Sequence, residues 1–257
     1  MLADEVFRVS DNKVCFVSGA GSGLGRATAL ALARNHVVAV ADRDAAAAGR
    51  VVEEIAGAGG TALCCPLDVT QPEEVRVAIE SVASRFDRFD CAVNCAGVEG
   101  DRHIVSEYPF EEWRRVVEIN LNGVFTCLKY QLETMVKFGR GTIVNVGSTA
   151  SLRGVPRMSA YVAAKHALVG LTKSAALEYA DKGIRVNVLC PGSFDTPMSE
   201  RLNDGRLELV AAKTPMRRIA PAAEIADAIV WLCSDQSSFV TGTTLTIDGG
   251  KLAGAML

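Results

Sequence analysis

Three residues stand at a spacing that can manage a proton on an oxygen atom. Ser148 follows the apolar run GTIVNVG at 141–147, Tyr161 comes thirteen residues later, and Lys165 four after that. Turning a secondary alcohol into a ketone removes a hydride from carbon and a proton from oxygen, so a base must reach that oxygen. Free tyrosine, with a pKa of about 10, is too weak an acid for the task. Its pKa must fall. The stretch 158–181 has a helical pattern, which puts Tyr161 and Lys165 on one face and lets the ammonium stabilise a phenolate. A lone Tyr-x-x-x-Lys more often marks a core or interfacial tyrosine. Ser148, placed just after an apolar strand, turns the reading toward a site.

Such side chains need a rigid frame, and the chain has the pattern of one. Apolar, β-branched runs at 13–18, 36–41, 61–67, 89–94, 141–147 and 184–190, with a final one at 244–248, alternate with helical stretches. The helices are expected at 23–34, 45–57, 72–86, 110–137, 158–181 and 222–234. Continuous apolar strands separated by helices predict an α/β fold: a doubly wound, Rossmann-type parallel sheet of about seven strands with helices on both faces. One domain over 1–257 is expected, with no repeat or linker. The segment from about 193 to 220 carries Pro197, Pro215 and Pro221, has weak periodicity, and reads as a substrate lid.

The first strand runs into Ser18-Gly19-Ala20-Gly21-Ser22-Gly23-Leu24-Gly25 and then a helix. Glycine lets the backbone approach a pyrophosphate, and the helix N-terminus offers N–H groups and partial positive charge to it. A tight turn that binds nothing is the plain alternative, and a glycine-rich turn alone does not exclude it. Asp42 ends the second strand about twenty residues later, where a carboxylate can accept from the adenosine ribose hydroxyls and repel a 2′-phosphate. That favours NAD over NADP. Arg43 follows and could grip a 2′-phosphate, but Ser22 puts no basic residue inside the turn to assist.

Composition excludes several classes. The 257 residues carry 27 basic and 30 acidic side chains, net −3, without a basic block, so a nucleic-acid or acidic-membrane surface is not expected. No segment approaches the length of a membrane span, and MLADEVFRVSDNK lacks the positive start and apolar run of a secretory signal, so a cytoplasmic location is expected. Cys15, Cys64, Cys65, Cys91 and Cys190 lie in or beside apolar strands and read as small buried hydrophobes. The pairs Cys64/Cys65 and Cys91/Cys95 have no second pair or histidine at ligand spacing, so no metal site is expected.

Together these residues resemble the short-chain dehydrogenase/reductase family in its single-domain form, from about Val14 to Gly250. The matching elements are the Ser18–Gly25 turn, Asp68-Val69, Asn94-Cys95-Ala96-Gly97, Asn120, Ser148, Tyr161 with Lys165, and Pro191-Gly192. The resemblance implies that Ser148 hydrogen-bonds the substrate oxygen, Tyr161 transfers the proton, and Lys165 binds the nicotinamide ribose and holds the tyrosine reactive. It implies that Asn120, otherwise readable as an ordinary polar helix residue, kinks its helix and holds a water that links Lys165 to solvent. For the cofactor it implies Gly19, Ser22, Gly23, Leu24, Gly25, Asp42 and Arg43 at the adenosine and phosphates. Asp68 would meet the adenine amino group, Val69 flank the ring, and Asn94, Ala96 and Gly97 carry backbone past the ribose; Asp68 as a simple helix cap is the competing view. Pro191 and Gly192 would lead to the Phe194 backbone and Thr196 hydroxyl at the carboxamide. Ser18 stands where threonine is usual, and Arg34-Asn35-His36 lacks the usual glycine and is shorter than expected.

The implied activity is hydride transfer between NAD(H) and a secondary alcohol or ketone. Val98-Glu99-Gly100 and Ala164-Lys165-His166 look most like bacterial members that act on cyclic alcohols and ketones. An NADPH-dependent 3-oxoacyl-[acyl-carrier-protein] reductase is the alternative, sharing the Thr241-Gly242…Asp248-Gly249-Gly250 ending; Asp42 argues against it. A binding protein without turnover is a further reading that the intact catalytic set disfavours. The substrate pocket is expected from Glu99, His103, Thr149, Ala150, Val155, Arg157, Ser193 and 197–215. Arg153 and Arg157 could pair with an acidic substrate group, but a solvated role is the favoured reading, as for His103 at the surface. Family resemblance implies a homotetramer built through the two long helices and the sheet edge near the C-terminus, with the GAML tail at 254–257 suited to burial there.

Overall fold

The computed structural model describes residues 12–196, 199, 201 and 206–254. Seven strands form one parallel sheet: β1 (Val14–Ser18), β2 (Val37–Asp42), β3 (Thr61–Pro66), β4 (Cys91–Asn94), β5 (Gly141–Val146), β6 (Ile184–Pro191) and β7 (Thr244–Ile247). Their order across the sheet is β3-β2-β1-β4-β5-β6-β7. The winding reverses between β1 and β4, so the loops after these two strands diverge to opposite faces and leave a crevice at their carboxyl ends.

Period-two alternation divides the core. Val14 and Phe16 of β1 face one layer, with Val75 and Ile79 of α3 (Pro72–Phe86) and Leu128 and Leu132 of α5 (Gly123–Phe138). Cys15 and Val17 face the other, with Ala29 and Leu32 of α1 (Gly23–Leu32), Val51 and Ile55 of α2 (Ala45–Gly57), and Ile225 and Ile229 near the C-terminal edge. The central strands are covered on both sides and bury all or nearly all of their residues. β3 is an edge strand and does not. Its run TALCCP has an exposed and half-buried pattern, so Cys64 is exposed and Cys65 half-buried. The reading of Cys64 as a buried hydrophobe is corrected on that ground, whereas Cys15, Cys91 and Cys190 are buried.

The helix expected at 110–137 is broken. α4 (Phe110–Val117) passes through a π turn, Glu118–Asn122, into α5. Of the other expected helices, 158–181 forms α6 (Ser159–Tyr179). The segment 193–220 includes a short α7 (Leu207–Ala212), and α8 (Ala222–Cys233) precedes the last strand. Residues 255–257 of the tail lie outside the described residues.

The sheet end away from the crevice is tied by Asp90. Its carboxylate accepts from Val14 N at 2.8 Å and from Arg88 Nε at 2.6 Å, and pairs with Arg140 at 3.2 Å. Its backbone bonds Val14 on one side and Thr142 on the other. One acid thus joins the starts of β1, β4 and β5. Exposed apolar side chains gather on the outer helices: Phe110 and Trp113 on α4, Phe125 on α5, Leu177 on α6 and Trp231 on α8, with Phe239 beyond it.

Candidate active site

The loops at the carboxyl ends of the strands enclose one long cleft, with the glycine turn at one end and Ser148, Tyr161 and Lys165 toward the other. Gly19 adopts φ +66°, and a Cβ there would lie 2.7 Å from Ala96 Cα, so the turn nests against the loop after β4. Gly25 is needed for space: a Cβ would overlap the Gly19 carbonyl oxygen. Ser22 occupies the N-cap of α1 without a side-chain cap bond, so its first N–H groups face the cleft for a ligand. Asp42 Oδ2 accepts from Gly21 N at 2.8 Å and Oδ1 from Asp44 N at 3.0 Å, which fixes the carboxylate at the cleft wall beside Arg43. This cradle fits a dinucleotide on its shape and donors. Ser18 fits into the buried strand end with its hydroxyl unpartnered. The glycine-free Arg34–His36 connection turns through Asn35 N donating to Leu32 O.

Asp68 does not cap α3, whose N-cap is Gln71. Its Oδ1 instead accepts from Thr70 N at 2.9 Å and Thr70 Oγ1 at 2.8 Å, and with Val69 it lines the cleft. Ala96 and Gly97 also line it. Asn94 is the exception among the expected residues. Its side chain is buried behind the wall, bonded to Gln131 at 3.0 Å and to Asn145 at 2.9 Å, and Asn145 continues to Thr172. Its part is to brace β4 and β5 against α5 and α6.

The catalytic candidates converge through three local structures. Ser148 leaves β5 and caps a 3-10 turn, Thr149–Ser151: its Oγ accepts from Ala150 N at 3.1 Å while Ser151 Oγ accepts from Ser148 N at 3.1 Å. This reciprocal pair fixes the serine's rotamer. Lys165, 4% exposed, donates from Nζ to Val146 O at 2.8 Å, and its Nζ lies 5.7 Å from the centre of the Tyr161 ring. Asn120 sits in the π turn. It donates to Val98 O and Val116 O, both at 2.9 Å, and its Oδ1 accepts from Val98 N at 3.1 Å. The wide turn therefore frees one amide to clamp the loop after β4, and a Cβ on Gly97 would meet Asn120 Oδ1 at 2.7 Å.

Among the protein's own groups, burial raises the Tyr161 phenol, with Glu99 adding to the rise and hydrogen bonding to Ser148 opposing it. A phenolate removed from water is penalised, and that cost exceeds the help of the Ser148 hydrogen bond. Burial also lowers Lys165, to about 8.

At the remaining end, Pro191, Gly192, Phe194 and Thr196 line the cleft. Thr196 Oγ1 donates to Ser199 Oγ and accepts from Ser199 N, both at 3.1 Å, and its methyl stands over Gly23. Glu99, Thr149, Ala150, Val155 and Ser193 line it as expected. Arg157 and His103 do not. They pair with each other through backbone, and His103 stacks edge-on to Tyr108 at 5.5 Å rather than standing free at the surface. Arg201 falls within the expected 197–215 lining, and Lys251 is an addition to it. Arg201 pairs with Glu99 at 2.9 Å across 102 residues, and Lys251 donates to Ser193 Oγ at 3.3 Å. No local pattern marks either residue, because each is brought to the cleft by a loop fold.

A family model described as enoyl-(acyl carrier protein) reductase matches residues 19–251. Cyclohexanol dehydrogenase of Acinetobacter sp. (strain SE19) is 42% identical over 240 residues, covering 93% of this chain and 94% of that protein. The chain belongs to the short-chain dehydrogenase/reductase family. As a family member it is an oxidoreductase that acts on CH–OH donors with a nicotinamide cofactor. The crystal structure of levodione reductase superposes with TM-score 0.89 at 36% identity, covering 95% of this chain and 98% of that one. The 3-oxoacyl-[acyl-carrier-protein] reductase of Thermotoga maritima is 36% identical over 241 residues, covering 93% of this chain and 98% of that protein. Among the described residues, no helix of this dehydrogenase/reductase is long and apolar enough to cross a membrane.

Proposed function

We propose that this enzyme is an NAD-dependent dehydrogenase of cyclic secondary alcohols, with Tyr161 as the acid and base. The observation that carries the cofactor choice is Asp42, whose carboxylate is braced at the cleft wall by two backbone N–H groups. There it can accept from ribose hydroxyls and oppose a 2′-phosphate. The same residue weighs against the acyl-carrier reductase reading.

The residues then have separable roles. Gly19, Ser22, Gly23, Leu24 and Gly25 receive the phosphates; Asp42, Arg43, Asp68 and Val69 hold the adenosine; Ala96 and Gly97 pass beneath the ribose, with Asn94 bracing their loop. Pro191, Gly192, Phe194 and Thr196 hold the nicotinamide end. When bound, the oxidised nicotinamide supplies the hydride acceptor and a positive charge near Tyr161. Ser148 donates to the substrate oxygen and orients it toward the phenol. Tyr161 would take the hydroxyl proton in oxidation as the phenolate that the Lys165 ammonium and the positive charge of the oxidised nicotinamide favour, and return it in reduction, where the neutral phenol favoured by burial is the donating form. Lys165 holds the ribose and, through the Val146 carbonyl, a fixed position under the tyrosine. Asn120 fixes the adjoining loop and the water path from Lys165.

The segment 193–220 acts as the substrate lid, tied at Arg201 to Glu99 in the loop after β4. Exposed Phe125 and Leu177 on the two long helices, and Trp231 and Phe239 near the β7 edge, support a homotetramer. Eight unpaired cysteines suit the reducing cytoplasm. The test is absorbance at 340 nm with NAD or NADP and a panel of cyclic, aliphatic, steroid and acyl-thioester substrates. NAD reduction with cyclic alcohols, abolished in Tyr161→Phe with cofactor affinity retained, is expected. Activity confined to NADPH and 3-oxoacyl thioesters would overturn the proposal.

A further inference from the structure

We propose that the cleft beyond Ser148 and Tyr161 binds a carboxylate carried by the alcohol substrate, with Lys251 and Arg153 as its two cationic contacts. This deepens the reading as a cyclic-alcohol dehydrogenase and rests on it.

The placement of Lys251 is built by backbone. Gly192 N donates to Ile247 O at 2.8 Å, and Gly192 passes so close to Asp248 that a Cβ would stand 2.7 Å from its Cα. The ends of β6 and β7 are thereby pressed together. Asp248 then caps its own turn: Oδ1 accepts from Gly250 N at 2.9 Å and Oδ2 from Leu252 N at 2.8 Å. That turn sends Lys251 back into the cleft, where it donates to Ser193 Oγ at 3.3 Å. Both Asp248 oxygens are engaged by backbone, so the nearest acid fixes the turn without forming an ion pair with Lys251. The other acid of this cleft end, Glu99, is paired with Arg201.

Arg153 lines the same cleft, five residues after Ser148, and makes no hydrogen bond or ion pair with another described residue. The Lys251 ammonium senses Arg153. Lys251 is lowered by burial first and by Arg153 next, with Lys213 adding to that and Asp248 opposing it. A half-buried ammonium coupled to a guanidinium, in the cleft that also holds Ser148 and Tyr161, is a place where an anion replaces repulsion with two charge-assisted contacts. A carboxylate suits it in shape: one oxygen for each cation, with the Ser193 hydroxyl free to donate to either. The solvated reading of Arg153 leaves Lys251 unexplained.

The experiment is isothermal calorimetry on the NADH-saturated enzyme, titrated with cyclohexanecarboxylate and, separately, with its neutral isostere cyclohexanecarboxamide. The acid is expected to bind at least tenfold more tightly. Lys251→Gln and Arg153→Gln should each erase most of that preference, and Lys251→Arg should keep it; melting temperatures identify any variant that fails to fold. Equal affinities, no binding of the acid, or a preference that survives both glutamine variants would overturn the proposal. Because the readout is binding, a failure to oxidise any cyclic alcohol would count against the parent reading and leave the acid preference separately legible.

Discussion

Lys165 should destabilise the protein at neutral pH, by an amount that the structure sets. Its ammonium is buried and accepted by one carbonyl, and its pKa falls from 10.5 to about 8 because burial penalises the charged form. Between these two values the unfolded chain binds more protons at this site than the folded one, so stability rises with pH across the window. At 1.36 kcal/mol per pH unit the whole difference is about 3 kcal/mol, of which about 2.5 kcal/mol should appear between pH 7 and pH 10. Lys165→Met keeps the length and apolar stem of the side chain but has nothing to titrate. Urea unfolding of both proteins, without cofactor and at one protein concentration, isolates the effect. Tyr161 and the buried Cys127 thiol are raised and lose stability in the alkaline range, but both proteins share them, so they largely cancel in the difference; Cys95, which the Lys165 ammonium lowers against its burial, does not cancel in full. The gap between wild type and Lys165→Met should narrow or reverse in favour of wild type by 2 to 3 kcal/mol on going from pH 7 to pH 10. Parallel stability profiles would refute the reasoning and mean that the ammonium is better solvated than its burial implies.

Two further outcomes concern the cofactor end. Gly25→Ala should abolish cofactor binding at concentrations that saturate the native enzyme, because the added methyl overlaps the Gly19 carbonyl; equilibrium dialysis checks it. Asp42→Ala should move the ratio of kcat/KM for NAD over NADP toward NADP by at least tenfold, through loss of 2′-phosphate repulsion with Arg43 left to meet it. An unchanged ratio would remove Asp42 as the selector.

Much of the fold was legible because period and punctuation agreed. The alternation of β-branched runs with helical stretches located all seven strands, and the glycine turn stood where a strand had to meet a helix. Tyr161 and Lys165 were readable because four residues on one helix are neighbours whatever surrounds them. What was not legible depended on neighbours distant in sequence. TALCCP looks as apolar as the central strands, and only its place at the sheet edge exposes Cys64. Asn94 is expected to carry backbone past the ribose; that its side chain bonds Gln131 and Asn145, 37 and 51 residues away, is not written in the local sequence. Spacing shows that Lys165 can stand beside Tyr161, whereas the burial that raises the phenol depends on the whole packed site. Arg201 lay within the expected 197–215 lining but its partner Glu99, 102 residues away, was not readable, and Lys251 is unremarkable in the sequence and reaches the cleft only through the folding of its loop.

The Asp90 tie makes the molecule stiff at one end and yielding at the other. Three central strands are bolted together where no chemistry occurs, while the catalytic ends are joined by loops. Local opening should therefore begin at the cleft rim and stop at the tie, with amides of Val14, Asp90 and Thr142 among the slowest to exchange with solvent. Ligand entry then works against loop energies alone, and the strand starts act as the anchored base of a clamp whose jaws can part without unthreading the sheet.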